Sequence, residues 1–240
     1  MPTKGLTVNV NKENVMKTGM VSEADAHRIQ DKIQWKIPRQ SIFKADLMIL
    51  DIIAHFDWAR PIYFASSAER STYLGLDQFF YSEGLVYKLV PFKITPNRNP
   101  NSLGEINKPK LYENLLTTFK WGNMEDDDVL VDYYTRRLTN NYRVQFSVLA
   151  DAYLEEYELH QGRVTGFTQM LGAPGDSSMV IQTPIGNFKK SDLPAEIEKS
   201  QAIMADAKQK IKEVLDRSMQ VMPEYNVHFD KVFPSYVSTY

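Results

Sequence analysis

The sequence contains no cysteine among its 240 residues. Disulfide scaffolds, thiol nucleophiles, cysteine-based zinc sites and iron–sulfur clusters are therefore excluded together. The histidines are few and scattered, and none forms the i,i+4 pair of a metal-binding helix: His27, His55, His160 and His228. The acidic run at 125–128 lacks the spacing and the central glycine of a calcium loop. We therefore predict no metal site and no cofactor.

Signatures of nucleotide binding and of hydrolysis are also missing. The chain has no GxGxxG, GKS, GKT or GxSxG motif, and its glycine-rich piece at 171–178 has no lysine to reach a phosphate. The 28 basic and 30 acidic residues are nearly balanced, which excludes a generally basic nucleic-acid surface. The most apolar stretch, residues 45–56, is far shorter than the ~20 apolar residues of a membrane span. We expect no catalytic residue and no nucleic-acid partner.

What is present is the composition of a globular protein, with 43% apolar and 24% charged residues. Strand-like alternation and short apolar runs flank a helical pattern at 41–56. A break rich in proline and asparagine at 95–109 separates them from a helical remainder. We predict a mixed α+β fold, with a small α/β domain over 1–105 and an α-helical domain over 106–240. A loop or hairpin insertion is expected near 158–191.

Apolar spacing also predicts part of the core, and the aromatic residues have two possible uses. In the helix at 41–56, Leu47, Leu50 and Ile53 share a face, which we expect to pack with Ile62 of the next strand. The aromatic residues at 79–81, Tyr87 and the pair at 133–134 suit either core packing or stacking on sugar rings.

Three ordered segments carry a family resemblance. They are KADLMILDIIAHFDWARPIYFA at 44–65, YLGLDQFFYSEGLVYKLVP at 73–91 and LYENLLTTFKWGNM at 111–124. They closely resemble the soluble C-terminal region of a bacterial family of multi-spanning membrane proteins that look like protein O-mannosyltransferases. The tail at 211–223 resembles the second helix of a degenerate tetratricopeptide repeat, so the helical domain is expected to be tetratricopeptide-like.

The resemblance implies a function that composition and spacing do not give. The chain would be a non-catalytic module on the extracytoplasmic (periplasmic) face of the cell membrane, part of a larger glycosyltransferase-like polytopic protein, and would support acceptor or glycan handling. Its partners would be its own N-terminal membrane region, a glycan or polyprenyl-phosphate head group, and a protein. The alternative is a helical-repeat module for protein–protein interaction with no glycan role.

Four residues in the ordered segments are candidates for a ligand surface: Arg60, Tyr63, Asp77 and Tyr87. Arginine offers a planar fork for phosphate or carboxylate, aspartate accepts sugar hydroxyls, and tyrosine supplies a stacking face with a polar tip. They are expected near strand ends, where open α/β sheets bind ligands. The alternative is structural, with Arg60 and Asp77 forming an ion pair that locks two turns together.

Overall fold

A computed structural model describes residues 5–38, 41–95, 103–183 and 186–228, and the chain divides into two compact units, Met1–Thr118 and Phe119–Tyr240. The first unit holds two small sheets with short helices, and the second holds two long helices joined through a β-hairpin. The predicted mixed α+β fold is therefore confirmed. The domain boundary expected at 105/106 stays a prediction.

An antiparallel pair opens the first unit, formed by β1 (Gly5–Asn9) and β2 (Lys32–Lys36). The short helix α1 (Lys12–Lys17) lies between them in the chain. Along β2, exposed residues alternate with the buried Ile33 and Trp35. This is the period of two that the sequence predicted, since successive side chains of a strand point to opposite faces.

The helix α2 (Lys44–His55) follows, in the place where the apolar spacing predicted a helix. The backbone N–H of Phe43 donates to the carboxylate of Asp46 at 2.7 Å, so this buried acid satisfies a group that the first turn leaves without a helical partner. Ile53 faces the core, and the partly buried Leu50 packs against it.

The turn after α2 has a strained backbone that side-chain hydrogen bonds stabilise. Asp57 and Trp58 both adopt left-handed φ values, 45° and 55°, a conformation that costs roughly 1–2 kcal/mol for each non-glycine residue. The amides of Asn11 and Asn14 donate to the Asp57 carboxylate at 3.0 Å. The indole N–H of the fully buried Trp58 donates to the carbonyl of Asn9 at 2.8 Å. These bonds fasten the turn to the end of β1 and the start of α1.

The second sheet has four short strands in the spatial order β3-β5-β4-β6. Their bounds are β3 (Tyr63–Ala65), β4 (Phe80–Ser82), β5 (Val86–Leu89) and β6 (Glu105–Ile106). All neighbours are antiparallel except β4 and β6, which are parallel. The helix α3 (Lys108–Glu113) comes next and continues into a π-helical turn, Asn114–Thr118.

Aromatic side chains form the core on one face of this sheet. Phe80 and Tyr87 stack with ring centroids 5.5 Å apart, and Tyr73 meets both rings edge-on. The Tyr73 hydroxyl donates to the carbonyls of Ala65 and Ala68, so its polar end is satisfied although the residue is buried. Ile62 is partly buried against this core, as expected.

One residue of the predicted core is on the surface. Leu47 is 53% exposed, together with three apolar neighbours along α2: Phe43, Met48 and Ile52. The core prediction for Leu47 was wrong because α2 carries apolar residues around most of its circumference. Spacing alone could not tell which stripe of the helix faces inward.

In the second unit, the helices α4 (Tyr133–Gly172) and α5 (Leu193–Val221) pack against each other. Between them lies a hairpin of β7 (Val180–Thr183) and β8 (Gly186–Lys189). Buried positions recur every seven residues in both helices: Thr139, Phe146, Tyr153, His160 and Phe167 in α4, and Leu193, Ser200, Ala207, Val214 and Val221 in α5. A seven-residue period is the pattern of coiled-coil packing.

The stretch expected as an insertion near 158–191 is divided between two structures. Helix α4 continues to Gly172, and only the later part forms the β-hairpin. A side chain at Gly162, Gly166 or Gly172 would meet nothing within 4 Å. These glycines therefore lie on open parts of the helix surface, where each costs about 1 kcal/mol relative to alanine without ending the helix.

A pair of substitutions on α2 tests the assignment of its buried face. Ile53→Ala should lower the free energy of unfolding by about 2–5 kcal/mol, because it removes a fully buried side chain. Leu47→Ala should change it by less than about 0.5 kcal/mol, because that side chain is already in water. Urea unfolding of the whole chain gives both values, and equal losses would contradict the assignment.

Candidate functional site

The face of the four-stranded sheet opposite the aromatic core carries a row of polar side chains. The register pairs Tyr63 with Lys88, Lys88 with Tyr81, and Tyr81 with Glu105, so the row crosses all four strands. Directly paired residues of neighbouring strands share a face. A row of polar side chains across a sheet offers hydrogen-bonding groups to a ligand, so this face is the candidate site.

A buried ion pair lies near the middle of the row. The ammonium of Lys88 is 2.5 Å from the Glu83 carboxylate, and both residues are buried. The Asn107 amide donates to the same carboxylate at 2.9 Å, and the Asn114 amide donates to the Glu83 carbonyl at 2.9 Å. Removing two charges from water is costly, and these additional hydrogen bonds offset part of that cost. They also fasten the sheet to the segment containing α3.

Tyr63 brings this cluster to the surface. Its side chain is 45% exposed, and the Lys88 ammonium lies over its ring, 5.8 Å from the ring centroid. Burial raises the pKa of the Tyr63 hydroxyl, and the nearby Glu83 charge raises it further. The ring therefore lies between solvent and the buried ion pair. We call Tyr63, Glu83, Lys88, Asn107 and Lys110 the Tyr63 cluster.

Lys110 belongs to the Tyr63 cluster through its charge. It lies close enough to lower the pKa of Tyr63, and the Glu83 charge in turn contributes to raising the pKa of Lys110. The largest cause of that rise is a hydrogen bond to Glu113, whose carboxylate is 2.8 Å from the Lys110 ammonium. Each lysine of the cluster therefore has a glutamate beside it, and the site carries no excess positive charge.

The other end of the polar row forms a second, structural cluster. Arg28 makes a two-point contact with the Glu105 carboxylate at 2.6 and 2.8 Å, and its guanidinium lies 4.2 Å from the centroid of the Phe92 ring. The hydroxyl of Tyr81 donates to Asp25 at 3.0 Å. Burial raises the pKa of the Asp25 carboxyl, but hydrogen bonds from Arg28, Tyr81 and Ser22 outweigh it and leave the pKa below its ordinary value.

Of the four ligand candidates from the sequence, only Tyr63 lies in the Tyr63 cluster. Arg60 is exposed in the turn before β3. Asp77 forms its ion pair with Arg70, at 3.0 Å, so the alternative of an Arg60–Asp77 pair was wrong. Tyr87 lies on the aromatic face of the sheet, near enough to Asp77 for that charge to raise its pKa beyond the effect of burial. The four residues therefore do not converge on one surface.

The expectation that a ligand binds near the strand ends does not apply to this sheet. It applies to open sheets of parallel strands, and here three of the four strands are antiparallel. The residues that the sequence prediction missed are Glu83, Lys88, Asn107 and Asn114. One signal was available: Lys88 interrupts the apolar run LVYKLV, and a lysine inside a short buried strand needs an acidic partner nearby.

The aromatic residues considered for sugar stacking are also divided between the core and the surface. Phe79, Phe80 and Tyr87 are buried in the core, whereas Tyr133 and Tyr134 are exposed at the start of α4. Among the residues that the structure describes, no three histidine or acidic side chains are grouped so as to hold a metal ion.

Residues 1–110 match the family model described as TMEM260-associated domain 2. No curated protein and no solved structure matches the chain. The matched residues include both small sheets and all five members of the Tyr63 cluster, so the candidate site lies in a domain associated with a membrane-protein family. Within the described part of the chain, no helix is both long and apolar enough to span a membrane.

A double substitution tests the buried ion pair. Glu83→Gln should destabilise the chain by about 3–5 kcal/mol, because it leaves the Lys88 charge buried without its counter-charge. Adding Lys88→Met should recover much of that loss, since an apolar side chain of similar length needs no partner. Unfolding free energies of the two single variants and the double variant give the coupling. Strictly additive losses would contradict a direct interaction.

The lowered pKa of Asp25 predicts a dependence of stability on pH. Because the folded-state pKa lies below the unfolded value, ionised Asp25 stabilises the fold above about pH 4, and this contribution is lost as the pH falls through the folded-state pKa. The difference in unfolding free energy between the native chain and Asp25→Asn should therefore shrink on acidification. A difference that stays constant from pH 7 down to about pH 2.5 would show that Asp25 has no such linkage.

Proposed function

We propose that this chain is a non-catalytic, extracytoplasmic module of a glycosyltransferase-like membrane protein and that the Tyr63 cluster binds the glycan of an acceptor. Two findings support the proposal. Residues 1–110 match a domain associated with a membrane-protein family, and the resemblance of its ordered segments is to protein O-mannosyltransferase-like proteins. The N-terminal membrane region of the same protein would carry out the glycosyl transfer.

The observation that carries the proposal is the half-exposed ring of Tyr63, which lies against the buried Lys88–Glu83 pair. Sugars present C–H faces that pack on aromatic rings, and a tyrosine has few rotatable bonds, so it loses little conformational entropy when a ligand binds. The Lys88 ammonium lies 5.8 Å from the ring centroid, beside the buried Glu83 carboxylate. Asn107 and Lys110 supply polar groups for hydroxyls around it.

The charge balance of the Tyr63 cluster selects between the two ligand classes that the resemblance offers. A polyprenyl-phosphate head group needs unpaired cations, as in most phosphate sites. Lys88 is paired with Glu83 and Lys110 with Glu113, so no cation is left over for a phosphate. An uncharged sugar ring is therefore the ligand class that we propose.

Binding measured by ligand-observed NMR tests this function. Methyl α-mannoside and a mannosylated peptide should show saturation transfer with the native chain, and Tyr63→Ala should weaken binding about tenfold or more. Phe43→Ala is the matched control, because it removes another large exposed aromatic side chain that lies outside the Tyr63 cluster. Inorganic phosphate and mannose 1-phosphate are the charged comparison ligands.

The outcomes separate the alternatives. Sugar binding that Tyr63→Ala leaves unchanged, or that Phe43→Ala abolishes equally, would overturn the assignment to the Tyr63 cluster. Tighter binding of inorganic phosphate than of the neutral sugar would favour the head-group ligand instead. No sugar binding at millimolar concentrations, with the fold intact by circular dichroism, would favour the protein-interaction alternative.

A further inference from the structure

A second surface, in the helical unit, has a different chemistry. Four large apolar side chains protrude where the chain enters α4: Leu130, Tyr133, Tyr134 and Leu138 are 90%, 64%, 73% and 60% exposed. Scattered exposed apolar residues are ordinary, but four of them within nine residues are concentrated in one short segment. Such a segment is a typical feature of a protein-binding surface.

The fold holds this segment in place. Asp132 caps α4 by accepting a hydrogen bond from the Thr135 N–H at 2.7 Å, and Val131 is buried beside the exposed Leu130. The Tyr225 hydroxyl donates to the Glu125 carbonyl at 2.6 Å, and the Asn226 amide donates to the Asp126 carbonyl at 2.9 Å. The exposure is therefore part of an ordered arrangement.

Acidic side chains flank the apolar ones. Glu125, Asp126, Asp127 and Asp128 are all exposed, and none forms an ion pair with a residue that the structure describes. Their effect is visible at Tyr225, whose pKa is raised by local burial and further by three carboxylates, those of Asp127, Asp126 and Glu125. Arg136, in the first turn of α4, acts on Asp132. The segment is therefore strongly negative.

We propose that this acidic–apolar surface, defined by the apolar residues 130, 133, 134 and 138 and the acidic residues 125–128, binds a basic amphipathic peptide segment of a protein partner. Lysines or arginines of the peptide would lie against the carboxylates, and its aliphatic side chains would cover Leu130, Leu138 and the two tyrosine rings. Charge complementarity selects this occupant, because it adds attraction to the burial of apolar area and speeds association.

The same features argue against the other occupants. An anionic lipid surface would be repelled by the carboxylates at 125–128. The rings of Tyr133 and Tyr134 are 5.5 Å apart with planes 79° to each other, so they do not form a shared flat platform for a sugar. A protein segment that contains both cations and aliphatic side chains can contact the acidic residues and the apolar residues of the surface together.

Fluorescence anisotropy of model peptides tests the proposal on the whole chain. The probe is a labelled helical peptide of lysine and leucine, with a glutamate–leucine peptide and a lysine–serine peptide as comparisons. Only the lysine–leucine peptide should bind well, because it alone supplies both features. Its affinity should fall about tenfold in Tyr134→Ala and in Leu130→Ser. Met48→Ser is the matched control, since Met48 is another large apolar residue that is mostly exposed, on α2.

The contribution of the carboxylates to peptide binding is measured separately, through its salt dependence. The triple variant Asp126→Asn, Asp127→Asn, Asp128→Asn should bind the peptide more weakly, and its affinity should depend less on salt, because fewer charges are screened. Three results would each overturn the proposal. They are equal binding of the glutamate–leucine peptide, a loss in Met48→Ser as large as in Tyr134→Ala, and an unchanged salt dependence in the triple variant. Tighter binding to vesicles containing phosphatidylglycerol than to the peptide would overturn it too.

Discussion

The buried contact between Glu83 and Lys88 is the constraint on which the polar face of the N-terminal unit depends. Two charges at 2.5 Å, removed from water, are stable only while their remaining hydrogen-bonding capacity is used, and the Asn107 amide donates to the carboxylate. The pair therefore does more than join β5 to the end of β4. Together with the bond from Asn114 to the Glu83 backbone carbonyl, it brings the asparagines flanking α3 against the sheet, and its ammonium lies beside the half-exposed ring of Tyr63. An apolar pair could fill the same space, but it would accept no hydrogen bond from Asn107.

Much of this unit could be predicted from the sequence because its signals are local. The alternation along β2, the helical spacing of α2 and the short apolar strand at β3 each follow from residues close together in the chain. The polar cluster could not be predicted in the same way. Its members lie between positions 63 and 110, and only the strand register brings them together. Lys88 was a visible anomaly in an apolar run, but no sequence rule names its partner. Leu47 shows the opposite failure, since a helix apolar on several sides does not reveal which side is buried.

In the helical unit, glycines that the sequence analysis assigned to a loop or hairpin lie inside a helix. Glycines usually mark loops, yet Gly162 and Gly166 lie inside α4 with open space around them, and forty residues of continuous helix absorb their cost. The seven-residue recurrence of buried positions explains why: one side of the helix is covered throughout its length, so tertiary packing outweighs local propensity. This also bears on the tetratricopeptide-like interpretation of the tail, which stays a prediction. Helix α4 alone is longer than the ~34 residues of an entire repeat of that kind.

The two surfaces differ in what a ligand would have to bring. The Tyr63 cluster has matched charges and one half-exposed ring, so a ligand gains little from charge and depends on shape and hydroxyl groups. The acidic–apolar surface has unmatched carboxylates beside exposed leucines and tyrosines, so its ligand gains from both charge and apolar burial. Uncharged polyols and basic amphipathic peptides satisfy these requirements separately, and neither ligand fits the other surface. Under the two proposals, one unit recognises a sugar and the other a polypeptide, and a glycosylated acceptor contains both.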